Sequence, residues 1–291
     1  MLQTRKTLVV GLICLLIGTA AGLTLAALHF RSDHEHASQS PRTAPQSAAP
    51  KPIPPPHPTV VNSPGCKPPP QHPDPVVLVP GTFDATSWAL IAPSLARRGY
   101  CVFTLEYGNA GTADIVRSAH QLARFVDRLL KRSGAHKVAI VGHSEGGLMP
   151  RYYIKFLGGA GKVSALIGLA PSNHGTTNPM ALVGAMNGCM ACGQQVAWGS
   201  AFLRRLNAGD ETPGPVDYTN IETEYDQVVL PYTSAFLRGP RARVTNISLQ
   251  NRCPSDVVGH LGITTDPVAL QWVENALRRN GPANPSLVPI C

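Results

Sequence analysis

The sequence predicts an α/β fold from Pro75 onward: a mostly parallel sheet with helices on both faces and one cap-like insertion. Three observations carry this. Short apolar runs of strand length alternate with longer stretches of helical periodicity. Apart from Lys137 and Ser164, the runs "VVLV", "KVAIV" and "VSALIGLAP" are apolar at successive positions rather than at every second residue, the mark of strands buried on both faces. The alternation lapses once, between Ser172 and Val216, where small residues, glycines and scattered apolar side chains replace it.

The elements follow in order. "VVLV" (Val76 to Val79) is the first strand, turned by Pro80-Gly81. "DATSWALIAPSLARRGY" leads through a short helix to the second strand, "CVFTLEYG". Thr112 is placed to cap the next helix, in which Ile115, Ala119, Leu122, Val126 and Leu129 recur at helical spacing. "KVAIV" is the third strand, "LMPRYYIKFL" a helix and "VSALIGLAP" the fourth strand. "YTNIET" and "VTNISL" are further strands, and "DPVALQWVENALRRN" is the last helix. The irregular stretch after the fourth strand lies on the side of such sheets where sites form. It reads equally as a cap over an apolar site or as an ordinary excursion.

Ahead of this domain (residues 75–291) the chain changes character twice. Residues 1–30 carry two positive charges and then an apolar run, residues 8–28, that suits an export signal or an uncleaved anchor. Arg5 and Lys6 before the run place the rest of the chain outside the membrane. Residues 31–74 form a proline-rich spacer expected to be disordered. Of the 28 prolines in the chain, 14 fall between Ser32 and Pro75, too many to leave a foldable apolar pattern.

Apart from Cys14 in the apolar run, the cysteines are Cys66, Cys101, Cys189, Cys192, Cys253 and Cys291. An even number in an exported chain implies a disulfide framework with many possible pairings. Cys66 to Cys101 would tie the spacer to the second strand, Cys253 to Cys291 would tie down the C-terminus, and Cys189 to Cys192 would close on itself. The net charge of +8 is dispersed, with no basic stripe interleaved with aromatics, which argues against a nucleic-acid partner. No metal-ligand cluster or cofactor motif stands out, and a monomer is expected.

The chemistry centres on "GHSEGG". A G-x-S-x-G between a strand and a helix is the context of a nucleophile elbow, where Ser144 projects from a sharp turn that Gly142 and Gly146 make room for. A serine needs a base, and the base an orienting acid. His260, in a loop after the last strand, is the best-placed base, with His174 its rival. His143 adjoins the serine but should point away and pack under the turn. Asp226 follows a strand and stands between serine and histidine in chain order. Asp210 is second, Asp217 lies on the wrong edge, and Asp256 reads as a loop-organising residue. The N–H groups of Glu145 and Thr82 are placed to hold a developing oxyanion.

These motifs, with "GYCVFTLEYG", "GLAPSNHG", "LNAGDETPG", "YTNIETEYDQVVLPYTSAFL" and "GHLGI", make the domain resemble the lipase class 2 family of the α/β-hydrolase superfamily. The resemblance implies an α/β-hydrolase fold and carboxylester hydrolysis through an acyl-enzyme, as in secreted bacterial triacylglycerol lipases and esterases. It assigns the nucleophile to Ser144, the acid to Asp226 and the base to His260, and it favours the three cysteine pairs above. The partners it implies are a lipid or ester substrate at a lipid–water interface or in the cell envelope. An acyltransferase with the same triad and a silent lipid-binding hydrolase fold are the alternatives. Two departures stand out: Pro80, where such lipases usually carry histidine, and Glu145, where they usually carry a neutral residue. The Glu145 side chain is expected to point aside and pair with Arg151 or Lys155.

Overall fold

The computed structural model describes residues 61–291; the apolar segment 8–28 and most of the proline-rich spacer lie outside the described residues. Six strands form one parallel sheet in the order β2-β1-β3-β4-β5-β6. They are β1 (Val76–Val79), β2 (Val102–Thr104), β3 (Val138–His143), β4 (Val163–Leu169), β5 (Asp217–Glu222) and β6 (Val244–Ser248). Every pairing is parallel, so each strand must be reached by a crossover over a face of the sheet.

The wholly apolar strands make sense in this arrangement. On β1, Val77 and Val79 face a core shared with α3 (Ile115–Ser133) and α4 (Glu145–Phe156). Val76 and Leu78 face the other core, with α1 (Ile91–Arg97) and α8 (Pro267–Leu277). The predicted periodicity of α3 is observed: Ile115, Ala119, Leu122, Val126 and Leu129 are all buried. Its cap is not Thr112 but Asp114, whose carboxylate accepts the Arg117 N–H at 2.9 Å. Thr112 instead closes α2 (Gly108–Gly111), donating its hydroxyl to Asn109 O at 2.7 Å. That single turn winds left-handed, with positive φ at Gly108, Asn109, Ala110 and Gly111.

The described end of the proline-rich spacer lies along edge strand β2. Asn62 N–H donates to Val102 O at 2.9 Å, and the Thr104 N–H donates back to Asn62 Oδ1 at 2.7 Å. Among the described residues, Cys66–Cys101, Cys189–Cys192 and Cys253–Cys291 form disulfides. The stretch from Ser172 to Val216 holds three short helices, α5 (Pro179–Met186), α6 (Met190–Gln194) and α7 (Ala201–Asn207). Among the described residues no helix is long and apolar enough to cross a membrane.

Candidate active site

The chain leaves β1 for the β2 edge and then returns to β3 on the other side of β1. Loops after β1 and β3 therefore diverge and leave a crevice at the carboxyl ends of these two strands. Ser144 follows β3 and Thr82 follows β1. Both line one largely apolar cavity of about 220 Å³, together with His260, Phe83, Met180 and Gln195.

Ser144 has φ 55° and ψ −121°, a conformation few non-glycine residues adopt. The turn is possible because of its neighbours. A Cβ on Gly142 would run into the Gly146 carbonyl, and one on Gly146 into the carbonyls of Val79 and Pro80. The Ser144 N–H still donates to Leu169 O at 2.9 Å, which fixes the turn to β4. The helix α4 starts at Glu145, so its first N–H groups and the positive end of its dipole lie beside the serine.

Asp226 stands in the loop after β5 and His260 in the loop after β6, the two ends of neighbouring strands. His260 Nδ1–H donates to Asp226 Oδ2 at 2.7 Å, which leaves Nε2 as the acceptor nitrogen. The other oxygen of Asp226 accepts the N–H groups of Val228 at 2.6 Å and Val229 at 2.8 Å. Burial alone would raise the Asp226 carboxyl. The hydrogen bond and charge of His260, with those two N–H groups, outweigh it and hold the carboxyl below its ordinary value. The two loops are themselves joined, since Thr223 donates its hydroxyl to Val258 O at 2.7 Å. Glu222, wholly buried beside Asp226, is held well above the ordinary carboxylate range by burial and by the Asp226 charge.

The rival residues have other partners. His174 is held by Ser234 O at 3.0 Å and lies 3.4 Å from Glu211. Asp210 accepts the Thr212 N–H and Asp256 the Val258 N–H, both within their own loops. Asp217 opens β5, at the opposite edge of the sheet. His143 is buried, as expected for packing at the turn, but it also braces His260. A carbonyl only accepts, so His143 Nε2–H donates to His260 O at 2.9 Å. Nδ1 then accepts the Thr86 hydroxyl at 2.9 Å, and Thr86 Oγ1 in turn accepts the Gly81 N–H at 2.9 Å. One directed chain thus joins the loop after β1 to the loop of His260. Burial lowers His143 to about 3, so this ring is neutral at physiological pH.

Glu145 departs from expectation. Its carboxyl pairs with neither Arg151 nor Lys155. Arg151 is buried against Asn173, Asn207 and the Glu211 carbonyl, and Lys155 donates to the carbonyls of Leu206, Ala208 and Asp210. The Glu145 side chain instead turns under the β1 loop, fully buried, with Oε2 2.6 Å from Thr82 Oγ1. Burial raises it to about 8, against the lowering effect of the hydrogen bond to Thr82 and of the nearby Tyr107 hydroxyl. Neither the Thr82 nor the Glu145 N–H has a hydrogen-bond partner among the described residues, so both donors are free. Among the described residues no group of three or more His, Cys, Asp or Glu side chains is placed to hold a metal ion.

Sequence reasoning missed Thr86, Gln195 and Glu222. Gln195 donates to Thr82 Oγ1 at 3.1 Å from a helix end more than a hundred residues away in sequence. A polar residue in a glycine-rich stretch carries no signal of such a partner.

Solved structures similar to this chain include two lipases. A lipase B from Aspergillus fumigatus is 27% identical and covers 73% of this chain and 54% of its own, with a TM-score of 0.63. The Bacillus licheniformis lipase BlEst2 in its propeptide form is 15% identical and covers 78% and 54%, with a TM-score of 0.56, a likeness of fold alone. The chain spans about half the length of each. The architecture is that of the α/β-hydrolases, and residues 73–273 match the model of the lipase (class 2) family. The chain belongs to the lipase (class 2) family.

Proposed function

We propose that this chain is an exported serine carboxylester hydrolase that acts on lipid or acylglycerol esters through an acyl-enzyme. The observation that carries the reading is that Ser144, His260 and Thr82 open into one apolar cavity while Asp226 holds the far side of the imidazole. Ser144 Oγ attacks the ester carbonyl carbon as His260 Nε2 takes its proton. The Glu145 and Thr82 N–H groups hold the oxyanion. The C–O bond then breaks, and the alcohol leaves with the proton from His260. Water, deprotonated by the same nitrogen, releases the acid and restores Ser144.

A lipid surface as the partner is supported by the rim of the cavity. The helix α5, "PMALVGAM", carries no charge and has no fully buried residue. Phe83, Met180 and Leu261 line the cavity and are each more than half exposed, and Met186 is exposed at the end of α5. Apolar exposure concentrated around a site mouth marks a contact with an apolar phase. Export is supported by three disulfides, which persist in oxidising compartments.

Ser144→Ala tests the mechanism. Turnover of p-nitrophenyl esters should vanish while circular dichroism and the melting temperature stay those of the parent. Full activity in that variant would refute the assignment.

A further inference from the structure

The buried carboxyl of Glu145 has no part in the mechanism just described, yet it bonds to a residue lining the cavity. The hydrogens on that contact can be counted. Gln195 Nε2 donates to Ala191 O at 3.1 Å, and a carbonyl only accepts, so the amide orientation is fixed. Its second hydrogen goes to Thr82 Oγ1 at 3.1 Å, while Gln195 Oε1 accepts the Ser172 hydroxyl at 2.7 Å. One lone pair of Thr82 is therefore taken. Its own hydrogen and its second lone pair remain, and Glu145 Oε2 sits 2.6 Å away.

A carboxylate at that distance must receive the Thr82 hydrogen. A carboxylic acid reverses the bond: Oε2–H donates to the second lone pair, and the Thr82 hydrogen is free to turn into the cavity. We infer that neutral Glu145 is a positioning residue that aims the Thr82 hydroxyl at the oxyanion, adding a third donor to the two backbone N–H groups. The inference rests on the ester-hydrolase reading above.

The surroundings favour the neutral acid. Glu145 is fully buried, and its Oε1 has no partner among the described residues. No Lys or Arg forms an ion pair with it among the described residues. The titratable groups nearby are Tyr107, whose hydroxyl donates to Pro80 O at 2.8 Å, the exposed Asp84 after β1, and neutral His143 on β3. On the cavity side stand His260 and the Asp226 behind it. The turn α2 covers the carboxyl with Gly111, where a Cβ would come 3.4 Å from Glu145 Oε2 and 3.0 Å from the Gly81 carbonyl. That turn brings no charge.

As Glu145 ionises near pH 8, the carboxylate captures the Thr82 hydrogen and sets a negative charge beside the oxyanion. The test is a kcat profile from pH 6 to 10 on a soluble p-nitrophenyl ester, with the Ser144→Ala background subtracted. The parent should lose kcat about tenfold per pH unit above about 8 at constant KM. Glu145→Gln, whose amide donates to Thr82 at every pH, should lose the alkaline fall and give a kcat that stays level from pH 7 to 10. Thr82→Val should lower kcat at pH 7 by up to a hundredfold, and Thr82→Ser should restore it. Added to Thr82→Val, Glu145→Gln should change nothing further at pH 7. An unchanged alkaline fall in Glu145→Gln, or full kcat in Thr82→Val, would overturn the inference. Fluorophosphonate labelling of the parent separates the two levels. A labelled, active parent with a flat Glu145→Gln response removes only this inference, whereas an unlabelled, inactive parent removes the hydrolase reading with it.

Discussion

Two adjacent parts of the elbow should pull the pH dependence of stability in opposite directions. Burial lowers His143 from 6.5 to about 3 and raises Glu145 from 4.5 to about 8. In both cases the fold disfavours the charged form. For His143 the folded value is depressed, so its contribution is complete above pH 6.5 and is lost as the pH falls toward 3. For Glu145 the folded value is raised, so its contribution is complete below pH 4.5 and is lost as the pH rises through 8. Each pH unit inside these windows is worth about 1.4 kcal/mol, so each group commands up to roughly 5 kcal/mol. Between pH 4.5 and 6.5 the two slopes cancel. Outside that plateau the pair should cost about 1.4 kcal/mol per unit, or roughly 2 kcal/mol by pH 3 and again by pH 8.

Denaturant unfolding of the parent, Glu145→Gln and His143→Gln across this range measures it. Glu222 and Asp226 titrate in the same fold, so the readout is the difference between variant and parent. Relative to the parent, Glu145→Gln should gain nothing with pH below 4.5 and then gain steadily up to about 8. His143→Gln should show the mirror image, gaining as the pH falls from 6.5 to about 3, on top of a constant loss for its disturbed bonds to Thr86 and His260. Differences that do not move with pH, or that slope the same way in both variants, would refute the reasoning.

Two further outcomes are expected. Gly146→Ala forces a Cβ into the Val79 and Pro80 carbonyls, so it should cost about 1–3 kcal/mol and abolish turnover together, as a melting curve and an ester assay would show. Replacing Cys253 and Cys291 by serine opens a link of sequence separation 38 and should cost roughly 4 kcal/mol, whereas opening Cys189–Cys192, of separation 3, should cost less than half of that. Equal losses in denaturant unfolding would count against the chain-entropy account.

The residues differ in how far the sequence reveals them. The strands β1 and β3 were legible because strands buried on both faces have only apolar positions, and "VVLV" and "KVAIV" have no polar residue facing the core. Ser144 was legible because sterics at the elbow tolerate only glycine at 142 and 146. Asp226 and His260 were legible through chain order and strand ends, which the parallel topology turns into spatial neighbours. Glu145 was not. Its direction depends on what covers it, and the cover is α2, a left-handed turn containing Asn109 and Ala110. Nothing in "YGNAGT" says that an alanine will adopt positive φ, since that conformation is imposed by packing against intrinsic preference. The cap of α3 was misplaced for the same reason, because the left-handed turn occupies Thr112 and shifts the helix start to Ile115.

That turn also bears on how the proposed oxyanion site would be held. Asn109 and Ala110 each cost about 1–2 kcal/mol in the left-handed region, so the fold around them must hold them there. What they gain is position: Gly111 is seated on Gly81, Thr82 and Glu145, against the loop that carries the proposed Thr82 donor. From below, Tyr107 fixes the Pro80 carbonyl, and Thr86 and His143 fix Gly81 to the His260 loop. Those braces are donors to carbonyls or bonds between groups neutral at physiological pH. A loop tied by cations would bind anions but also trap product acid, and one tied by carboxylates would repel the oxyanion. A loop held by neutral bonds, with two N–H groups left free, fits the proposed role, in which charge appears only in the transition state. Glu145 brings a carboxyl against that loop, and burial suppresses its charge at neutral pH.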